Sequence, residues 1–217
     1  MLATHLTVNG ELASVESLAE KGIWIDLVNP AEGELARVAA EAGILPDFLR
    51  AALDEEERSR LEAEDGQILI LINTPVEGVE LPYDTIPLGI VVTENAVATV
   101  CLKDNPILEE FRANRLKGFC TYKKTRFVLQ LLFQTASHYL KYLRQIDKRT
   151  GEIENRLHRS MKNEELIKLL NLEKSLVYFT TSLKANEFVM EKLLKSQLAK
   201  TDPDMALTSQ ILKMYPE

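Results

Sequence analysis

The sequence predicts an α/β fold of the α+β kind: a mixed β-sheet packed with helices, followed by a long antiparallel helical hairpin. Three observations carry this. Between Gly118 and Pro203 the chain holds one glycine, Gly151, and no proline, so little interrupts a helix there. Within that stretch Leu129, Leu132, Ala136, Tyr139, Leu143, Ile146, Thr150, Ile153 and Leu157 recur at alternating steps of three and four. Leu169, Leu172, Leu176, Phe179, Leu183, Asn186, Met190 and Leu193 do the same. Such a seam belongs to helices that pack lengthwise on one another. Ahead of it, short apolar runs alternate with turn residues and helix starts, the pattern of a sheet with helices laid on it.

His5 to Val8 reads as a first strand, turning at Asn9-Gly10. Ile23 to Val28 is a strand that is apolar on both faces except at Asp26. Asn29-Pro30-Ala31-Glu32 then opens a helix. Asn29 is placed to cap it, Pro30 suits the first helical position, and Glu32 completes a capping-box spacing. Leu35, Val38 and Ala39 form its buried face and Gly43 ends it. A short helix from Pro46 turns Phe48, Leu49 and Leu53 inward and runs out in Asp54-Glu55-Glu56-Glu57. Arg58 to Glu64 alternates weakly, Asp65-Gly66 is a tight-turn pair, and Ile68 to Ile72 is a strand apolar on both sides. Gly78 to Asp84 reads as a loop. Ile86 to Val92 and Ala96 to Val100 pair across Thr93-Glu94-Asn95, with Pro87 expected at a strand start or edge. Asn105-Pro106 starts a helix through Leu108 and Phe111, and Gly118 closes the body.

Residues 1–118 are therefore the α/β body and 119–199 the hairpin, with 200–217 a further segment. The seam loses phase at Ser160-Met161-Lys162-Asn163-Glu164, where the hairpin is expected to turn. At ~1.5 Å per residue the first arm reaches roughly 45 Å, long enough to stand clear of a small body and meet another subunit or another part of its own polypeptide. Asn186 breaks the second seam; polar seam residues can fix register, but the expectation for Asn186 is a solvated residue at the splayed end.

The formal net charge is −7, with 46% hydrophobic and 27% charged residues. That balance argues against a nucleic-acid surface, which needs clustered Lys and Arg. Cys101 and Cys120 lack metal-site spacing, nothing at the N-terminus reads as a signal peptide, and no apolar run approaches the ~20 residues that span a bilayer. A reducing cytosol is the simplest setting.

The catalytic inventory is thin, and the expectation is that the chain is not an enzyme. His5, His138 and His158 lie far apart, and the latter two read as solvated helix residues. No phosphate-binding glycine loop or helical zinc motif occurs. The densest acidic patch is Asp54, Glu55, Glu56 and Glu57, followed by Glu62, Glu64 and Asp65. Hard cations take oxygen ligands, and Mg²⁺ typically touches one or two carboxylates while keeping its waters; a solvated helix end accounts for the same pattern. Asp202 and Asp204, around Pro203, read as helix-start residues. Lys117, Lys123, Lys124 and Arg126 gather where the long helix begins, and they read as a solvated collar or a seat for an anion or partner.

Asp54-Glu55-Glu56-Glu57-Arg58-Ser59-Arg60-Leu61-Glu62 and Tyr83-Asp84-Thr85-Ile86-Pro87-Leu88-Gly89 resemble the cytoplasmic domain of CorA-type magnesium and cobalt transporters. So do Lys123 to Gln130, Tyr142 to Asp147 and Leu172 to Leu183. The resemblance covers nearly the whole chain. It implies a cytoplasmic regulatory, ion-sensing domain of a homopentameric divalent-cation transporter of the cell membrane, with Mg²⁺ as regulatory and transported ion and no organic cofactor. It also implies that residues 200–217 begin a stalk helix that leads to two transmembrane helices, so that the polypeptide continues past Glu217. In that family acids bridging subunits sense Mg²⁺. Where the body helix should present them this chain has Arg50-Ala51-Ala52, so Asp54 and Glu55 are the neighbouring candidates for a regulatory metal site. Two alternatives are a related zinc transporter domain and a free-standing helical-hairpin interaction module.

Overall fold

A computed structural model of the chain describes residues 1–157 and 163–195. His158, the centre of the expected turn, Asp202, Asp204 and the whole 200–217 segment lie outside the described residues. Seven strands form one sheet in the order β2-β1-β3-β7-β6-β5-β4. They are β1 (Leu2–Val8), β2 (Glu11–Ser14), β3 (Ile23–Val28), β4 (Arg60–Glu64), β5 (Gln67–Glu77), β6 (Tyr83–Val92) and β7 (Ala96–Cys101). β3 and β7 run parallel at the centre, and every other neighbouring pair is antiparallel. The mixed sheet with its helices, and the helical hairpin after it, are as the sequence predicts.

Helices α1 (Glu32–Ala42) and α2 (Pro46–Arg50), with a single 3-10 turn at Ala51–Leu53, cover one face. Ile23, Ile25 and Leu27 of β3 point into that layer with Leu35, Val38, Phe48 and Leu49. Helices α3 (Pro106–Arg112), the first half of α4 (Lys124–Leu157) and the C-terminal end of α5 (Asn163–Lys195) cover the other. Trp24 and Val28 point there, against Phe111, Phe119 and Phe127. A strand buried on both faces explains why β3 reads as an unbroken apolar run. The outer half of the hairpin has its own core of Tyr83, Tyr139, Tyr142, Ile146, Ile153, Leu172 and Phe179.

Two local expectations are corrected. Helix α1 is capped at Ala31 rather than Asn29, which takes a left-handed φ of 43°. Glu34, not Glu32, reaches back to the Ala31 N–H at 2.9 Å. The left-handed Asn29 turns the chain after β3, which delays the helix by two residues. The loop expected from Gly78 to Asp84 is shorter, because β5 runs to Glu77 and β6 begins at Tyr83. Pro87, expected at a strand start or edge, lies inside β6 at an edge position. It faces Asn73, whose N–H goes to Asn186 and not to β6, and β7 ends at the Leu88–Cys101 pair. Pro87 is therefore on a locally unpaired edge, where its missing donor costs no ladder bond.

That register matters for the rest of the molecule. β4 pairs with β5 only over residues 67–71, and β7 with β6 only over 88–92. The remainder of β5 and β6 projects as a two-stranded arm whose edges pair with no further strand among the described residues, and α4 and α5 pack along it.

Candidate functional site

The acidic patch lies on the turn between Leu53 and β4. Asp54 closes a local turn, with its Oδ1 accepting from the Glu56 N–H at 2.9 Å. Glu55 reaches Lys103, just past β7, at 2.8 Å, and both side chains are 61% exposed. The hydrogen bond that Lys103 donates to Glu55 is the main reason its pKa is raised, and the nearby Asp84 adds to it. Glu57 is held by Arg60 Nη1 at 2.6 Å, and the same guanidinium reaches Glu62 at 3.0 Å. Burial opposes the Arg60 charge, but these two carboxylates outweigh it and raise the Arg60 pKa. Lys103 and Arg60 thus pair with three of the seven carboxylates of the patch. Among the described residues no three His, Cys, Asp or Glu side chains gather closely enough to hold a metal directly. Asp54 and Glu55 are adjacent, exposed and oxygen-bearing, which fits a hydrated Mg²⁺ held by one or two carboxylates and no tighter site. Arg50, at the place where the resemblance looks for acids, instead pairs with Glu32 at 3.0 Å.

The basic cluster is structural in part. Lys124 donates to the carbonyls of Thr93 and Glu94 at 2.6 Å each, closing the β6–β7 turn onto the start of α4. Desolvation lowers its pKa, against the opposing pull of Glu94. His138, expected in solvent, is 5% exposed, and its Nε2 lies 3.1 Å from Glu110 Oε1. The reason is that the first half of α4 is sandwiched between α3 and the sheet, so that few of its positions reach water.

Asn186 is the largest correction. It is 1% exposed rather than solvated. Its Oδ1 accepts from the Asn73 N–H at 2.9 Å and from Ser59 Oγ at 3.0 Å, while its Nδ2 donates to the Asn73 carbonyl at 2.7 Å. A single side-chain amide thereby replaces the strand that β5 lacks beyond β4. Tyr139 Oη donates to the same carbonyl at 3.0 Å. Farther along α5, Ser182 Oγ meets Thr85 Oγ1 at 3.1 Å, and Ser175 Oγ donates to the Tyr83 carbonyl at 2.7 Å and accepts from its N–H at 3.3 Å. Tyr83 Oη donates to Gln145 at 2.8 Å, and its ring carries the Arg149 guanidinium at 5.0 Å. The hairpin is therefore fastened to both edges of the β5–β6 arm by short polar side chains, the buried-polar bonds that make a unique packing. The sequence signal is present: Ser175, Ser182 and Asn186 share a helical face at steps of seven and four.

A second buried polar centre lies under α3. Asp26 is fully buried and takes Arg112 Nε at 2.6 Å and Thr99 Oγ1 at 2.9 Å, and Thr99 in turn accepts from Trp24 Nε1 at 2.8 Å. His5 stacks on Trp24 with ring centroids 4.8 Å apart. Burial lowers the His5 pKa, Asp26 opposing and Arg112 reinforcing. The neutral ring is favoured in the fold, so the unfolded chain takes up the proton first as pH falls. Stability is full above about pH 6.5 and declines below it. His5→Phe is expected to flatten that decline, read as urea-unfolding free energy at about pH 7 and about pH 5.5.

The comparisons with known proteins bear on the whole of this architecture. The family described as "CorA-like Mg2+ transporter protein" matches residues 19–214. The cobalt/magnesium transport protein CorA of Methanocaldococcus jannaschii is 30% identical over 186 residues, covering 81% of this chain and 56% of the relative. The chain thus spans a little over half the length of that curated relative. The solved soluble domain of CorA from the same organism superposes with a TM-score of 0.78 at 25% identity, covering 99% of this chain and 90% of that one. The ZntB cytoplasmic domain from Vibrio parahaemolyticus shares the fold, with a TM-score of 0.75 at 12% identity over 98% of this chain and 88% of that one. With a family match that runs from ahead of β3 past the end of α5, the chain belongs to the CorA-like Mg²⁺ transporter family.

Proposed function

We propose that this chain is the cytoplasmic, ion-sensing part of a divalent-cation (Mg²⁺/Co²⁺) transporter that acts as a homo-oligomer, a pentamer by family resemblance, with membrane helices beyond Glu217. The observation that carries this reading is the family match over residues 19–214 together with the matching body-and-hairpin fold. None of the described helices is long and apolar enough to cross a bilayer, so any conducting path lies in other segments and the role left to these residues is control. Family membership points to transport rather than catalysis.

Asp54 and Glu55 are the proposed regulatory metal site. Among the described residues Glu55 is paired with an exposed ammonium, the kind of partner that a divalent cation displaces at little cost. Bound cations would screen a chain of net charge −7 and keep neighbouring copies together; their loss would let the copies repel and move apart. Titration calorimetry with Mg²⁺ on this chain tests the site. Weak millimolar binding is expected, lost in Glu55→Gln and strengthened by about threefold in Lys103→Met, which removes the competing cation. Equal heats in all three proteins would end the proposal for these carboxylates. The transporter reading has its own test, Mg²⁺ uptake by the native full-length polypeptide.

A further inference from the structure

Between the outer halves of α4 and α5 lies a pocket of about 260 Å³ whose wall is mostly cationic. Helix α4 supplies Arg149, Glu152 and Arg156, which steps of three and four place on one face. Helix α5 supplies Lys168 and Asn171 from the opposite side, and Pro82, just ahead of β6, closes one end. The floor is apolar, made by the buried side chains of Ile153 and Leu172. On a chain of net charge −7 this wall carries three cations against one carboxylate. We propose that the pocket binds a phosphate ester, with the phosphate among Arg149, Arg156 and Lys168 and a small carbon skeleton on Ile153 and Leu172.

The three cations differ in what already holds them. Lys168 donates to Glu165 Oε1 at 2.9 Å, and the Glu165 side chain is only 10% exposed. Arg156 stays 3.8 Å from the same oxygen, beyond hydrogen-bonding distance. Glu165 is therefore balanced by Lys168, which leaves the donors of Arg156 for a ligand. Arg149 is positioned in another way. Its guanidinium lies over the Tyr83 ring at 5.0 Å, a contact with the π face that consumes no N–H donor. Tyr83 is itself fixed, with its Oη on Gln145 and its ring against Tyr142 and Phe179. Arg149 has no ion-pair partner among the described residues. A planar guanidinium that is oriented by stacking and keeps its donors takes a phosphate through two parallel N–H···O bonds.

The remaining groups set the class of ligand. Asn171 adds an amide donor on the α5 wall. Cations that arrive from two helices suit a phosphate, which offers three oxygens and up to two negative charges, better than a planar carboxylate. The apolar floor favours an ester over the bare ion. Glu152 works against any anion. It lies three residues after Arg149 and four before Arg156, yet it forms no ion pair with either among the described residues. With Glu165 counted as well, the site keeps an excess of positive charge, so binding is weak and Glu152 is what limits it. The pocket shares no residue with the acidic turn.

Nuclear magnetic resonance titration of the full 217-residue chain with glycerol 3-phosphate, in Mg²⁺-free buffer of constant ionic strength, reads the site. Saturable shifts are expected at the amides of residues 149–156 and 168–172, with a Kd on the order of 1 mM. Inorganic phosphate should bind about threefold more weakly, for want of the apolar contact. Arg149→Gln should raise Kd by about tenfold, Arg149→Lys by about threefold, and Glu152→Gln should lower it by about threefold. Lys141→Gln removes the same charge from α4 outside the pocket and should leave Kd unchanged. Vesicles of phosphatidylcholine and phosphatidylglycerol separate the sources of the phosphate. Sedimentation of the chain with them, lost in Arg149→Gln, would assign a lipid headgroup; no sedimentation beside intact glycerol 3-phosphate binding would assign a soluble ester. An absence of saturable shifts up to about 20 mM probe would overturn the proposal. A Kd that moves as far in Lys141→Gln as in Arg149→Gln would overturn it too.

Discussion

Arg112→Met is expected to destabilise the chain by about 3–5 kcal/mol, the cost of stranding a buried charge. The reason is the position of its partner. Asp26 sits in the central strand β3 with no exposed surface, between Ala3 of β1 and Thr99 of β7. Without the guanidinium it keeps only the Thr99 hydroxyl, and an ionised carboxylate in that place lacks both solvent and counter-charge. The reverse substitution is milder. Asp26→Asn leaves Arg112, whose side chain is 19% exposed and which also faces Asp104 at 3.6 Å, so water and a second carboxylate remain to it. A cost of about 1–2 kcal/mol is expected. The double variant Asp26→Asn/Arg112→Met should be more stable than Arg112→Met alone, since it no longer strands a charge. Urea unfolding of the four proteins gives the cycle. Equal losses for the two single variants would mean that the pair is solvated and that its burial carries no penalty.

That pair also marks where sequence reading stops. Asp26 is visible as the one polar residue in an apolar strand, but its partner lies 86 residues away, and no local pattern ties the two together. The elements themselves are largely legible. β3, β5 and β7 read as apolar runs because the sheet is covered on both faces, and the two seams give both long helices because heptad spacing survives without tertiary information. The second seam holds at Leu172, Phe179, Asn186, Met190 and Leu193 but slips by one residue around Leu176. Ser175 and Ser182 are buried while Leu176 is 38% exposed, because α5 packs on a sheet edge as well as on α4, and an edge wants short polar side chains where a helix wants Leu. Asn186 follows the same logic. The acidic turn illustrates the opposite limit: composition locates it, but only the fold shows which of its carboxylates Lys103 and Arg60 pair with.

Asn186→Ala should cost about 2–4 kcal/mol, far above what a surface asparagine contributes. The substitution removes an acceptor and a donor from the Asn73 peptide at once. The carbonyl keeps Tyr139 Oη, but the N–H loses its partner, and no β4 residue pairs with Asn73 to replace it. Asn186→Asp separates the two contributions. Its carboxylate still accepts from the Asn73 N–H and from Ser59 Oγ, yet sets an oxygen against the Asn73 carbonyl, so it should be at least as harmful near neutral pH. Ser59→Ala, which leaves the peptide clamp intact, should cost only about 1 kcal/mol. Amide exchange locates the damage. In Asn186→Ala the Asn73 amide should exchange at least about tenfold faster, beyond any global loss of stability, with the outer arm following. Exchange that rises evenly across the protein would show that Asn186 only fills space. A local rise would show that it couples the hairpin to the sheet and to Ser59, which follows the acidic turn.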